Sequence, residues 1–342
     1  MTLKQAFLKQ SESCSKLGSP FMGQLLHLFA DRFERGTALA DKMFDWPGDA
    51  SSAGASLPLR LAGGLHALVL RGDLALKSVY PPNAVSDDML WSAVNEAMIR
   101  NQPFLIHWIE SAPQTNEVRR SAALIAAAHF LHNKVNMPFR VSELGASAGL
   151  NLMWDKFALR VGDKVLGPKD APIQLTPDWA GHAPPVSQPN VEDRRGVDLS
   201  PIDPHSEQGK LRLRAYLWPD QPDRRQITDI AIATAQANVD QCDAIDWLEK
   251  RLKHTPGQAH LIYHTIAWQY FPKALQERGR KLIETAGQTA TVENPLAWLS
   301  MEADNTPHSA ALTLRLWPRD QHFNLARVDF HGRWINWLAN QA

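Results

Sequence analysis

The chain has 342 residues, enough for one large or two ordinary domains, and is 44% hydrophobic and 21% charged. That composition excludes wholesale disorder, collagen-like repeats and a small disulfide scaffold. Thirty-six Lys and Arg balance 36 Asp and Glu, so no global basic field exists to hold a nucleic-acid backbone or an anionic membrane. Two cysteines, Cys14 and Cys242, have neither a disulfide framework nor zinc-ligand spacing, which fits a reducing compartment. The N-terminus has no apolar segment of the secretory kind. The longest apolar run, Ala122 to Leu131, is too short to span a bilayer. A cytoplasmic address is expected.

Residues 1–135 read as helices and are expected to form a helical cap. Ser19-Pro20 starts one helix, with Ser as N-cap and Pro at the first helical position. Phe21, Leu25, Leu28, Phe29 and Phe33 would line its apolar face. Leu59 to Leu70 is a second apolar stretch, closed by Arg71-Gly72-Asp73. Ser86-Asp87-Asp88 caps another helix, whose face would be Met89, Trp91, Val94 and Met98. A last helix spans about Thr115 to His132. Its core is apolar on nearly all sides, so it should be buried.

After Asn136-Met137-Pro138 strands and helices alternate, the signature of a parallel sheet with crossover helices, expected over 136–342. Strands are expected at Phe139–Leu144, Arg195–Leu199, Ala259–Tyr263 and Pro295–Glu302, with a weaker one near Val239. Helices are expected at Gly149–Phe157, Arg224–Ala237, Ala244–Lys253 and Tyr270–Ala286. Ala310–Trp317 and Phe323–Phe330 would form an antiparallel hairpin. Residues 158–193 interrupt the pattern with a small hairpin and a Pro-rich stretch, either a lid or a packed excursion. Arg212, Arg214, Arg224 and Arg225 cluster around Trp218, and nearby Asp220, Asp223 and Asp229 suggest a solvated, salt-bridged surface.

The most informative stretch is Val141-Ser142-Glu143-Leu144-Gly145-Ala146-Ser147-Ala148-Gly149. A strand ends, glycines turn the chain so that a ligand can approach the backbone, and a helix N-terminus follows. Three chemistries use such a turn. Gly145-x-Ser147-x-Gly149 satisfies the serine-hydrolase elbow, with Asp304 or Asp329 and His331 as downstream partners. The helical upstream region argues against it, because an elbow normally follows several strands. A nicotinamide dinucleotide site needs three glycines and an acid about 20 residues on, and ranks lowest. The third is S-adenosylmethionine binding. Glu143-x-Gly145-x-Ser147-x-Gly149 resembles the first motif of class I methyltransferases, with Ser147 in place of the middle glycine. Arg195-Gly196-Val197-Asp198 resembles the second, and Asp198 is the acid that would hold the ribose hydroxyls. Cys242-Asp243-Ala244 resembles the pair that meets the adenine ring, although Asp243 is equally a good N-cap. His260 to Tyr270 resembles the fourth strand running into the loop where substrate and cofactor meet.

The chain also resembles a bacterial family catalogued as domain of unknown function 2332. The resemblance rests on Gln114 to Val118, Glu143 to Leu152, Arg195 to Asp203, Trp218-Pro219-Asp220, His264 to Tyr270 and Pro295 to Glu302, and covers roughly 20–338. It supports a fold and a cofactor pocket and names no substrate.

Together these resemblances imply a Rossmann-like methyltransferase fold with S-adenosylmethionine as cofactor and an unknown small molecule as acceptor. Gly145, Ser147, Gly149, Asp198 and Asp243 would hold the nucleoside. Glu143, Asn116 and Glu117 would hold the amino-acid end, the last two being equally helix-capping residues. His264 is the acid–base candidate, its other reading being a hydrogen-bonded histidine at a strand end. A non-catalytic nucleoside-binding protein and a serine hydrolase using Ser147 are the alternatives. No metal site, nucleic acid or membrane is expected.

Overall fold

The structure is a computed structural model, and it describes residues 1–340. In chain order it forms α1 (Leu3–Lys16), α2 (Pro20–Arg32), α3 (Ala38–Phe44), α4 (Leu57–Leu70), α5 (Leu74–Val79), α6 (Asp87–Arg100), α7 (Gln102–Trp108) and α8 (Ser121–Val135). There follow β1 (Phe139–Leu144), a 3-10 run Leu150–Lys156, β2 (Ala158–Val161), β3 (Lys164–Leu166), β4 (Gln174–Leu175), β5 (Asp178–Ala180), β6 (Val191–Asp198), α9 (Glu207–Ala215) and α10 (Pro222–Thr234). The chain ends with β7 (Asn238–Gln241), α11 (Ala244–Arg251), β8 (Ala259–Thr265), α12 (Lys273–Gln288), β9 (Leu296–Ala303), β10 (Ala310–Trp317), β11 (Gln321–Val328) and β12 (Trp334–Trp337). No helix among the described residues is long and apolar enough to cross a membrane.

The chain divides into two compact units. One is Met1–Thr115 with His205–Gln226; the other is Asn116–Pro204 with the chain from Ile227 onward. The expected boundary at 135/136 therefore shifts to 115/116. The reason is α8, which is buried from Ser121 through Leu131 and packs on the 3-10 run, β2 and β3. A helix apolar all round has to be enclosed, and the sheet unit encloses this one.

In the helical unit α2 starts as expected. The Ser19 hydroxyl accepts from Met22 N, and Phe21, Leu25, Leu28 and Phe29 are buried. α6 is rotated from the expected face: Leu90, Val94, Ala97 and Met98 face inward, whereas Met89 is 58% exposed. The return of residues 205–226 to this unit was not expected. Asp220 ties it down, accepting from the Ser19 hydroxyl at 2.6 Å and from Phe21 N at 3.0 Å. Trp218 enters the core beside it. Arg224, expected on a solvated surface, is buried and stacks on Trp218 at 5.4 Å.

The second unit is a mixed α/β structure around a nine-stranded sheet of order β5-β12-β11-β10-β9-β8-β1-β6-β7. The run β7-β6-β1-β8-β9 is parallel. β9 to β12 form an antiparallel meander, and β5 adds in parallel to β12. The expected C-terminal hairpin is β10–β11. Strand order reverses between β1 and β8, and in open parallel sheets the crevice at the carboxyl ends of such strands is where ligands bind. The expected helix at Gly149–Phe157 is instead the 3-10 run. The 158–193 segment is a packed excursion: β2, β3 and β4 make a small sheet, β5 extends the large one, and Ser187 N donates to His129 Nδ1 at 3.0 Å.

Asp220→Ala should destabilise the chain by about 1–3 kcal/mol, since it leaves two buried donors of α2 unpaired. Urea denaturation of the variant and of Asp220→Asn, which keeps one acceptor and should lose less, checks this.

Candidate functional site

The site is built where β1 ends. Leaving the strand, the chain takes positive φ at Gly145 (72°), Ser147 (53°) and Gly149 (71°). Two of these positions exclude a side chain for a second reason. A Cβ on Gly145 would lie 2.6 Å from the Ala267 Cβ, and one on Gly149 would lie 2.9 Å from Val239 Cγ2. Ser147 adopts the same left-handed backbone with a side chain, a conformation that is uncommon outside Gly, Asn and Asp.

The turn is closed by its own neighbours. Gly145 N and Ala146 N donate to Val197 O at 2.9 and 3.0 Å, and Gly149 N donates to Ala146 O at 2.8 Å. Asp198, at the end of β6, accepts from Ser147 N at 2.9 Å through one carboxylate oxygen and from Ser200 N at 2.9 Å through the other. Asn116 Oδ1 accepts from Leu150 N at 2.9 Å, and Glu117 O accepts from Asn151 Nδ2 at 3.2 Å. The sequence reading thus brought Asn116, Glu117, Gly145, Ser147, Gly149 and Asp198 to one place. There they brace the turn: Asn116 caps the 3-10 run, and the Glu117 carboxylate pairs with Arg119 at 3.4 Å. Asp243 accepts from Ile245 N and Asp246 N and is the N-cap of α11.

Besides the Ser147 hydroxyl, which is buried without a partner, Glu143 is the exception to this mutual satisfaction. It is 2% exposed, and its Oε2 is buried without a hydrogen-bond partner. Burial first, and then the negative charge of Asp198, push its carboxyl well above the ordinary value of 4.5; Arg120 and the Tyr263 hydroxyl pull the other way. Tyr263 sits opposite Glu143 in the β1–β8 register and donates to Asn151 O at 3.3 Å. Arg120 links the ends of two strands, donating to Thr265 O at 3.1 Å and Phe330 O at 2.9 Å. Arg120 lies in no motif, and the strand-to-loop stretch that holds Tyr263 does not by itself pair it with Glu143. Only strand register and the packing of the 118–120 turn bring them to Glu143.

The loop after β8 is held by one carboxylate. Glu302, on β9, accepts from Ala267 N at 2.9 Å, Trp268 N at 3.0 Å, Gln269 N at 3.4 Å and His264 Nδ1 at 2.7 Å. The Trp298 indole N–H donates to His264 Nε2 at 3.0 Å. Both ring nitrogens of His264 are therefore engaged. In this arrangement the imidazole is the Nδ1–H tautomer and has no nitrogen left for a substrate proton. Trp268 is buried and stacks on His264 with centroids 4.9 Å apart, while Tyr270 is exposed. Ile266, a β-branched residue at φ 51°, shows that the loop is held under strain. Sequence reasoning missed Glu302 because its partners come from another strand.

The elbow chemistry lacks its parts. The Ser147 hydroxyl is buried with no hydrogen-bond partner, so no base activates it. Asp329 accepts from His331 N and from Arg333, and Asp304 pairs with Arg327.

Two stability measurements follow. The raised carboxyl of Glu143 contributes stability that is complete below the ordinary 4.5 and is lost as pH rises through the folded value. Glu143→Gln should therefore become more stable than the parent chain as pH rises above about 4.5, with the gap closing in acid; denaturation at pH 5 and pH 8 measures it. At Glu302 burial raises the carboxyl, but His264 and the amides of Ala267 and Trp268 outweigh it and hold the group below its ordinary 4.5. Its contribution is present above 4.5 and lost as pH falls. Glu302→Ala should cost about 2–4 kcal/mol at neutral pH and speed amide exchange at 267–269 first.

No curated protein is significantly similar to the chain. A family model described as "Uncharacterized protein conserved in bacteria (DUF2332)" matches residues 4–337, and the chain belongs to that bacterial family.

Proposed function

We propose that the second unit is a Rossmann-like domain that binds S-adenosylmethionine at the carboxyl ends of β1 and β6 and transfers its methyl group to a small molecule. The observation that carries this reading is Glu143: a fully buried carboxyl with one oxygen unpartnered, at the strand end beside the order reversal. A buried carboxylate needs a cation or a proton. The ammonium of an amino-acid moiety supplies the cation, and it would relieve the Asp198 charge as well.

The closed turn narrows the ligand class. Its N–H groups at Gly145, Ala146, Ser147 and Gly149 already have acceptors within the protein. A pyrophosphate would need those donors, which argues against a dinucleotide. A nucleoside carrying a sulfonium and no phosphate does not need them. Asp198 accepts from Ser147 N and Ser200 N through separate carboxylate oxygens, which fixes its carboxylate at the strand end where a ribose would lie.

When bound, the cofactor supplies a methyl carbon already activated by its sulfonium. The chain's own residues then need to orient donor and acceptor and exclude water. Glu143 and Asp198 orient the donor. His264 supports the Ile266–Tyr270 loop through Glu302 and is not assigned a proton transfer. An acceptor that is already nucleophilic fits that arrangement. The engaged His264 also favours a second reading, a binding protein of the same pocket without transfer.

Calorimetry with S-adenosylhomocysteine tests the pocket. The wild-type chain should bind it, and Glu143→Gln should bind about 10- to 100-fold more weakly, the equivalent of about 1.5–3 kcal/mol for a hydrogen bond to a charged group. Asp198→Ala should lose binding and also loosen the turn. No binding by folded wild-type protein would remove the assignment. Binding without methyl transfer to any fraction of a bacterial extract would favour the second reading.

A further inference from the structure

The helical unit contains a polar cluster that the proposed function does not use. It is built on one face of α4. Arg60, Gly63, Gly64 and Ala67 are spaced so that they share that face. Two adjacent glycines inside a helix cost about 1 kcal/mol each relative to alanine, so their presence needs a packing reason. The reason is two rings. A Cβ on Gly63 would lie 2.5 Å from Tyr216 Cε1, and one on Gly64 would lie 3.0 Å from Trp108 Cδ1. The glycines let Tyr216, just after α9, and Trp108, at the end of α7, pack against the helix backbone. The ring centroids are 6.0 Å apart. Arg212 lies over both, its Cζ 4.8 Å from the Trp108 centroid and 5.9 Å from that of Tyr216.

The polar atoms of this cluster are N–H donors and one hydroxyl, and Trp108 and Arg212 approach that Tyr216 hydroxyl without closing a well-formed hydrogen bond. Trp108 and Tyr216 are each 6% and Arg60 8% exposed. Trp108 Nε1, the Tyr216 hydroxyl and Arg212 Nη2 are all buried, and none makes a hydrogen bond of acceptable geometry. Arg60 donates to Ala55 O, Ile109 O and Glu110 O, all of them neutral carbonyls. Among the described residues no carboxylate pairs with Arg60 or Arg212. The nearby Glu110 carboxylate pairs with Lys42 at 2.7 Å instead. Burial chiefly lowers Arg60 from its ordinary value; Tyr216 opposes this, and the neighbouring Arg212 charge adds to it. Unpaired buried polar groups are rare in native proteins, and an indole N–H, a hydroxyl and one guanidinium N–H, with the Arg60 guanidinium beside them, describe one missing partner.

We propose that this face of α4 binds an oxyanion, the carboxylate or phosphate group of a small molecule, through Arg60, Arg212, Trp108 Nε1–H and the Tyr216 hydroxyl. Planar guanidinium groups and an indole N–H supply donors only, so the ligand has to supply acceptors. The two aromatic rings make the surroundings largely apolar, which strengthens each charge-assisted hydrogen bond.

The test is thermal unfolding of the full chain in phosphate, acetate and chloride at matched ionic strength, with Tyr216→Phe and Arg212→Met alongside. A ligand that binds only the folded chain raises its melting temperature. Phosphate or acetate should raise it saturably above chloride, and whichever does so identifies the oxyanion. The half-saturating concentration should rise at least ten-fold in either variant. In chloride Tyr216→Phe should melt with or above the parent chain, because it deletes a buried group that has no partner. Three results would overturn the proposal: no oxyanion response in the parent chain, an equal response in Tyr216→Phe, or marked destabilisation of Tyr216→Phe in chloride, which would show that the hydroxyl is paired within the protein. Should Arg212→Met fail to fold, Tyr216→Phe alone decides.

Discussion

A carboxyl at the end of a strand buried on both faces has three ways to exist: neutral, paired or liganded. Glu143 is in that position, and the second unit is arranged around it. β1 lies inside the parallel run, flanked by β6 and β8. The turn beyond Glu143 is closed by hydrogen bonds from its own N–H groups to Val197, Ala146 and Asp198. Apart from the Ser147 hydroxyl, the polar groups of the turn are satisfied, and the open oxygen of Glu143 lies beside them. Asp198 at the neighbouring strand end adds a second negative charge, and the pair favours a cation.

Around this centre two elements are fixed by long-range polar contacts. Arg120 draws together the backbone at Thr265 and Phe330. Glu302 gathers the amides of the Ile266–Tyr270 loop and orients His264. Ala267, in that loop, packs where a Cβ on Gly145 would stand. The glycine is therefore required by the loop as much as by its own backbone conformation. This coupling means that a change in Glu302 reaches the turn without touching it.

Local signals in the sequence carried a large share of the fold. Caps at Ser19, Ser86 and Asp243 stand where side-chain chemistry puts them. β1 has the expected bounds, and the hairpin β10–β11 is within two residues of them. The glycine turn and Asp198 were legible because an acid at a strand end and small residues in a turn are both short-range patterns. What was not legible depends on distant partners. Asp220 reads as one acid of a surface cluster until Ser19 meets it. Met89 and Leu90 differ by one position, and neighbouring helices decide which turns inward. A 3-10 run stands after Gly149 where an α-helix was expected, its first amide held by Asn116. His264 read as an open base, since neither Glu302 nor Trp298 is near it in sequence.

The central claim is that Glu143 holds a cationic ligand. Calorimetry of S-adenosylhomocysteine binding, repeated at pH 6 in buffers of different ionisation enthalpy, tests it most directly. The account predicts that the parent chain releases more protons on binding than Glu143→Gln does, because a cation beside the raised carboxyl lowers it again. Binding with the same proton count in both chains would contradict it.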